Sequence, residues 1–160
     1  MQAFDTSAIV YAWEKYPKSQ FPLLWEWLAL RIRDNEIVIP EAALLELSHV
    51  ERDCFAWLTG SSIQRLKTTN EVMERAQQLT KELEVTNGEF SARGVDQNDL
   101  IIIAASELAG AKSVTEESVQ NNKPLYKKNS KIPAVCDLPL VHVCCLNFLD
   151  VITQSGKTFG

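Results

Sequence analysis

The 160-residue sequence predicts an α/β domain with a mostly parallel sheet. Three observations predict it. Short apolar runs of strand length alternate with longer stretches whose apolar residues recur at helical spacing. Capping residues, prolines and glycines fall at the joints between them. At 46% hydrophobic residues, the chain can bury a core as one domain spanning 1–160.

The elements follow in order. Residues 1–4 have room only for a short strand. From Ser7, "SAIVYAWEKYP" is a helix stopped by Pro17, because proline has no N–H and clashes with the preceding turn. "SQFPLLWEWLALRIRD" is a second helix, with Leu23, Leu24, Trp27, Leu28 and Ile32 expected on one apolar face. "EIVIP" reads as a buried strand halted by Pro40. "EAALLELSHVERDCFAWLTG" reads as one helix ending at Gly60. Val72, Ala76, Leu79 and Leu83 then recur at helical spacing until the polar loop "TNGEFSARG". "DQNDLIIIAASELAG" opens on capping residues, at least one of Asp96 and Asn98 serving as N-cap, and closes on Gly110. "AKSVT" and "VHVCC" are strand candidates, and "LNFLDVI" is a closing helix. Alternating short strands and helices mean an α/β domain.

Composition excludes several classes of protein. There is no run of about 18 apolar residues, so no membrane span is expected. Met1 to Tyr11 lacks a basic n-region and Asp5 interrupts any apolar h-region, so no signal peptide is expected either. Cys54, Cys136, Cys144 and Cys145 show no CxxC spacing, which suits free thiols of a cytoplasmic protein better than disulfides or zinc. The net charge of −5 argues against broad affinity for nucleic acid, though not against a local basic path.

The acids carry the chemistry. In a parallel α/β sheet, sites form beyond the carboxyl ends of the strands. Asp5 follows the first strand, and Glu46 lies two turns into the helix after the second. Asp99 opens the helix that leads to "AKSVT", and Glu116 and Glu117 follow that strand. Gathered carboxylates without a cation would repel one another and lose their charge. A hard divalent cation prefers such oxygen ligands, and metal plus water is the chemistry of phosphodiester hydrolysis. Each acid also has a plainer role open to it. Asp5 caps the first helix with Thr6 and Ser7 beside it, and Glu46 is a solvated helix residue. Glu41 sits in a first turn, where glutamate is common for dipole reasons. His49 and His142 read as structural, and no Cys/His cluster supports zinc.

These residues also carry a resemblance. "FDTSAIV", then "IVIPEAALLELS", then "NDLIIIAASELAGAKSVTEES" resembles the PIN-domain ribonucleases, especially the VapC-like toxins of prokaryotic toxin–antitoxin pairs. Those chains begin with a strand and an Asp-Thr-Asn or Asp-Thr-Ser step, here Asp5-Thr6-Ser7. They place a Glu in the helix after the second strand, here Glu46. They then open an apolar helix with an Asp, here Asp99, with the Ala pair Ala104 and Ala105, a closing Gly110, and a Val-Thr-x-acid strand end. That end falls on Val114, Thr115, Glu116 and Glu117. The tail "KIPAVCDLPLVHVCCLNFLDVI" resembles a prokaryotic PIN-like subfamily of undefined role. Residues 50–95 are matched only by helical character. The last acid is glutamate where the family more often has aspartate or asparagine. Glu117, two residues after Thr115, fits the family position, with Glu116 as the alternative.

The resemblance implies a PIN-like three-layer α/β/α sandwich and Mg²⁺- or Mn²⁺-dependent cleavage of single-stranded RNA. Asp5, Glu46, Asp99 and Glu117 are the expected catalytic set. Asp5 and Asp99 are expected to touch the metal directly, while Glu46 and Glu117 act through water. Thr6, Ser7 and Thr115 support them. Arg93 in "SARGVD", with Lys127 and Lys128 in "NNKPLYKKNSK", are candidates for tracking the RNA backbone, against the plainer reading of solvated loops. Expected partners are RNA, an antitoxin protein and a second copy of the chain, with Trp13, Trp25, Trp27 and Trp57 as candidate docking residues. Two rivals stand beside this reading. A haloacid-dehalogenase-type phosphatase needs a second Asp where the chain has Ser7. A catalytically weak or inactive PIN-like binding module engaging an antitoxin or another protein is the stronger alternative.

Overall fold

The computed structural model describes residues 1–159. Its centre is a five-stranded sheet in the order β3-β2-β1-β4-β5, with every neighbouring pair parallel. The strands are β1 (Gln2–Phe4), β2 (Ile37–Pro40), β3 (Gln64–Leu66), β4 (Lys112–Val114) and β5 (Cys145–Leu146). Around them run α1 (Thr6–Lys15), α2 (Pro22–Arg33), α3 (Glu41–Val50), α4 (Arg52–Gly60), α5 (Asn70–Glu82), α6 (Gln97–Leu108), α7 (Ile132–Cys136) and α8 (Phe148–Ser155). A 3-10 turn, Lys127–Asn129, lies in the connection between β4 and α7.

Side chains alternate across the sheet with the period of two that strand geometry imposes. Phe4, Ile37, Ile39, Val114 and Leu146 face a core shared with α1, α2, α3, α4 and α8. Ala3 and Val38 point the other way. On that face α6 packs against β2 and β4 and carries α5 and α7 with it. Ala3 packs there with Val38 and Ala111. The result is the α/β/α sandwich with a parallel sheet that the sequence predicts.

Four local readings need correction. Residues 41–60 form two helices, broken at Glu51, whose φ of −146° and ψ of 84° lie outside the helical region. β3 is an edge strand whose Gln64 and Arg65 are exposed, so it lacks the apolar alternation that marks a strand. β5 occupies Cys145–Leu146 rather than the whole of "VHVCC". On α2 the buried face is Leu24, Trp25, Leu28 and Ile32, while Leu23 is exposed.

The tryptophans are mostly occupied with one another. Trp25 is buried, its ring 4.7 Å from that of Trp57 and 5.2 Å from that of Trp13, both edge-on. Its Nε1–H donates to the Tyr16 carbonyl at 2.6 Å, and Lys18 lies over the rings of Trp13 and Trp57. Trp27 stacks against Phe159 and under Arg31. They act as packing residues in this arrangement. Among the described residues the four cysteines are free thiols, and no helix is long and apolar enough to cross a membrane.

Candidate active site

The strand order reverses direction between β1 and β4, since β2 and β3 lie on one side of β1 and β4 and β5 on the other. Crevices in open parallel sheets form at such switch points, beyond the strands' carboxyl ends. β1 ends at Phe4 and β4 at Val114, so Asp5 and Thr115 leave the sheet side by side. The Asp5 N–H donates to the Val114 carbonyl at 2.9 Å, tying the two strand ends together.

Asp5 does two jobs. Its Oδ1 accepts the Ala8 N–H at 2.8 Å, which caps α1. It also accepts from the Ser7 hydroxyl, at 2.9 Å for Oδ1 and 3.1 Å for Oδ2. Capping and site membership are therefore compatible. Ser7 has one proton and directs it to Asp5, so the 3.2 Å contact between the Ser7 and Thr115 hydroxyls has Thr115 as donor. Ser7 also accepts the Glu116 N–H at 2.9 Å, and Thr115 accepts the Glu117 N–H at 3.2 Å. A chain of hydrogen bonds thus runs from the backbone after β4 to the Asp5 carboxylate. Burial nevertheless pushes the Asp5 carboxyl up from 3.8 to about 6, against the pull of the Thr115 and Ser7 hydroxyls and the Ala8 N–H, and the Glu117 charge adds to the rise.

Asp99 enters from the opposite layer. Asp96 is the N-cap of α6 and Asp99 its reciprocal partner in a capping box: the Asp99 N–H donates to Asp96 Oδ1 at 3.0 Å, and the Asp96 N–H to Asp99 Oδ2 at 2.8 Å. Burial pushes the Asp99 carboxyl up to about 7. The charges of Asp96, Glu117 and Asp5 contribute to that rise, while the Asp96 N–H works the other way. Asp5, Asp99 and Glu117 thus share one field of mutually repelling charge.

Glu46 is exposed on α3, and its Oε2 accepts the buried Thr6 hydroxyl at 2.8 Å, which places it next to the Asp5 turn. The two final glutamates separate. Glu116 Oε1 accepts the Phe148 N–H at 2.7 Å at the start of α8. Glu117 Oε2 accepts the Ile132 N–H at 2.7 Å at the start of α7. The structure therefore joins Asp5, Ser7 and Thr115 with the backbone of Glu116 and Glu117 by hydrogen bonds, and Thr6 with Glu46. Asp99 is linked to Asp5 and Glu117 through charge alone.

The donor set is all oxygen, which suits a hard divalent cation and not zinc. Among the described residues, no three His, Cys, Asp or Glu side chains stand close enough to ring an ion. The donor set fits a cation held directly by one or two carboxylates with the remaining positions bridged by water, as Mg²⁺ prefers.

The expected RNA-facing residues are grouped by a close backbone approach. At Gly94 an added Cβ would lie 2.2 Å from the Lys128 carbonyl oxygen, so only glycine lets these two loops touch. Arg93 and Lys128 are consequently neighbours in space, and both are exposed. Lys127 is partly engaged, its Nζ 3.8 Å from Glu82 and 3.5 Å from Glu84. Two residues beyond the expected set mark the groove leading away from the acids, Val119 and Asp137. No pattern in the sequence singles them out, because their importance depends on which cavity they line.

A comparison with curated proteins finds no match. Among solved structures, the chain is similar to VapBC2 from Rickettsia felis, crystallised bound to a DNA fragment from its promoter. The two are 21% identical with a TM-score of 0.54, over 91% of this chain and 97% of that one. At that identity the likeness shows a shared fold. Residues 3–159 match the family described as domain of unknown function (DUF4411), and the chain belongs to that family.

Proposed function

We propose that the protein is a metal-dependent endoribonuclease that cuts single-stranded RNA, acting in the cytoplasm as the toxin of a toxin–antitoxin pair. One observation carries the reading. At the switch point of a VapC-like fold, the carboxyls of the buried Asp5 and the half-buried Asp99 are raised to about 6 and about 7, with the Glu117 charge adding to both rises and the Asp5 charge to that of Asp99. Nothing in packing rewards such a gathering of negative charge, whereas a cation does.

Asp5 and Asp99 would hold Mg²⁺ or Mn²⁺ directly, with Glu117 and Glu46 reaching it through water. Such a cation, when bound, supplies an activated water and offsets charge building on the phosphate. The chain's own residues do the rest. The Thr115 to Ser7 to Asp5 hydrogen bonds orient the Asp5 carboxylate and favour its charged form. Glu117 is tethered through Oε2 to the Ile132 N–H, which leaves Oε1 to orient a water. Asp99 keeps Oδ2 on the Asp96 N–H and presents Oδ1. With its carboxyl near 7, it must release a proton as the site fills, so activity should rise with pH through neutrality.

A second reading has one observation in its favour: Glu116 and Glu117 each commit an oxygen to a backbone N–H, as residues of a binding module would. Under either reading the expected partners are an antitoxin protein and a second copy of the chain. Purified protein should cut single-stranded RNA with Mg²⁺ or Mn²⁺, stop with EDTA, and lose cleavage in Asp99→Asn while its circular dichroism is unchanged. Failure to cut any RNA with either metal, after removal of any bound antitoxin, would leave the binding module as the better account.

A further inference from the structure

The connection from β4 to α7 is built rather than loose. The Val95 N–H donates to the Ser130 carbonyl at 2.8 Å, beside the Gly94 contact with Lys128. Gln120 clamps the two limbs of the connection, its Nε2 donating to the Asn129 carbonyl at 3.0 Å and its Oε1 accepting the Lys131 N–H at 2.8 Å. Lys131 Nζ reaches the Ser118 hydroxyl at 2.9 Å.

Held this way, the connection encloses a cavity of about 530 Å³ against α7 and the residues after it. That size is within the range that takes a small organic group. Its apolar walls include Val119, Pro124 and Leu138. A neighbouring cavity of about 310 Å³ is lined by Thr115, Glu116 and Glu117, and both cavities share Val119 and Asp137. One groove therefore leads from Glu116 and Glu117, past Val119 and Asp137, into the larger chamber.

The charge around the chamber points to the occupant. Residues 118–136 carry four lysines and no acid, in a chain whose net charge is −5. Lys123 and Lys127 line the chamber, although Lys127 is shared with Glu82 and Glu84. Two acids line it as well: Glu82, which faces Lys127, and the exposed Asp137. The Asp137 carboxylate has no hydrogen-bond or ion-pair partner among the described residues, and it sits at the waist between the cavities. A carboxylate there repels phosphate and accepts N–H donors, while the lysines beyond it attract a backbone.

We propose that this chamber receives a nucleobase of the RNA strand next to the cleaved phosphate, and that Asp137 reads it through the base's N–H donors. Guanine fits best, because its Watson–Crick edge offers adjacent N–H groups to the two oxygens of one carboxylate. The flat base lies between Val119 and the Pro124 and Leu138 walls, and Lys123 holds the adjoining phosphate. The inference rests on the ribonuclease reading.

The test uses the full chain carrying Asp99→Asn, so that RNA binds without being cut. Fluorescence anisotropy with short single-stranded RNAs that differ at one base should give the tightest binding with guanine, by about tenfold. Adding Asp137→Asn should remove that preference. Adding Val119→Trp, at a 69% exposed position where folding is unaffected, should weaken binding of every RNA and leave circular dichroism unchanged. In the Asp99 parent, Asp137→Asn should relax the choice of cut site. Cleavage that keeps its sequence preference in Asp137→Asn overturns the base pocket and leaves the nuclease reading standing. Tight binding of free guanosine monophosphate without any competition from RNA also overturns it, in favour of a small-molecule site. Absence of metal-dependent cleavage by the parent is the separate failure of the nuclease reading.

Discussion

Replacing Asp99 by asparagine should stabilise the protein at pH 8 in the presence of a chelator. The Asp99 carboxyl is raised from 3.8 to about 7 in the folded chain, mainly by burial and then by Asp96, Glu117 and Asp5. The folded state therefore binds more protons than the unfolded state between these values. Stability relative to the unfolded chain is fully present below about pH 4 and falls as pH rises through 7. At about 1.4 kcal/mol for each tenfold change in proton affinity, the ceiling is about 4 kcal/mol. Water still reaches part of the side chain, so about 2 kcal/mol is the working figure. Asparagine has nearly the same shape and still accepts the Asp96 N–H through its amide oxygen, so the capping box survives. For a chain of this size the gain amounts to roughly 4–8 °C in Tm at pH 8. The two proteins should melt together at pH 4. Urea titrations in EDTA from pH 4 to 8 read the difference directly. Excess Mn²⁺ should then reverse the ranking, since a ligand at 100 times its Kd adds about 2.7 kcal/mol to whichever protein binds it. If parent and variant track each other across the pH range in EDTA, Asp99 is not held at a charge-disfavouring site and the reasoning fails.

Two further expectations concern the rest of the fold. Arg75→Met should cost about 2–3 kcal/mol in urea titration. It removes the two-pronged pair with Glu107 and the hydrogen bond to the Leu140 carbonyl, leaving only the His142 N–H to satisfy a Glu107 side chain that is 12% exposed. Ser113→Ala should raise Tm by roughly 2–4 °C, because the Ser113 hydroxyl is buried in β4 with no partner and alanine keeps the strand while removing that penalty.

The ordered acids were legible because each follows or precedes an apolar run, and the run can be read without knowing the fold. The capping of α6 was legible for the same reason, since Asp96 and Asp99 are three residues apart. What escaped notice depends on distant partners. Glu116 and Glu117 differ by one position in the chain, yet one reaches α8 and the other α7, 32 and 15 residues away. β3 escaped because an edge strand with Gln64 and Arg65 exposed has no apolar period to detect. The break at Glu51 carries neither proline nor glycine, so its sequence reads as uninterrupted helix. Trp25 and Leu23 are two residues apart, far enough around a helix to swap sides, and which is buried depends on where Trp13 and Trp57 arrive.

The site and the chamber beyond it follow from one topological fact. Because β1 is central and β4 pairs with it, the first turn of the chain and the turn after β4 must leave the sheet together. Ser7 and Thr115 can then hydrogen-bond across 108 residues of sequence. The same exit sends the chain after Glu117 outward on the side of α7, where Ile132 holds it. The connection must therefore form a wall that starts at the acids and ends at α7. Gly94 and Gln120 hold that wall in place. On the ribonuclease proposal, a strand with one phosphate at Asp5 and Asp99 would continue along this wall, past Glu117. Its next base would then meet Val119 and Asp137, which lie away from Asp5 and Asp99 in the chain's fold, so base preference and metal dependence should be separable by single substitutions.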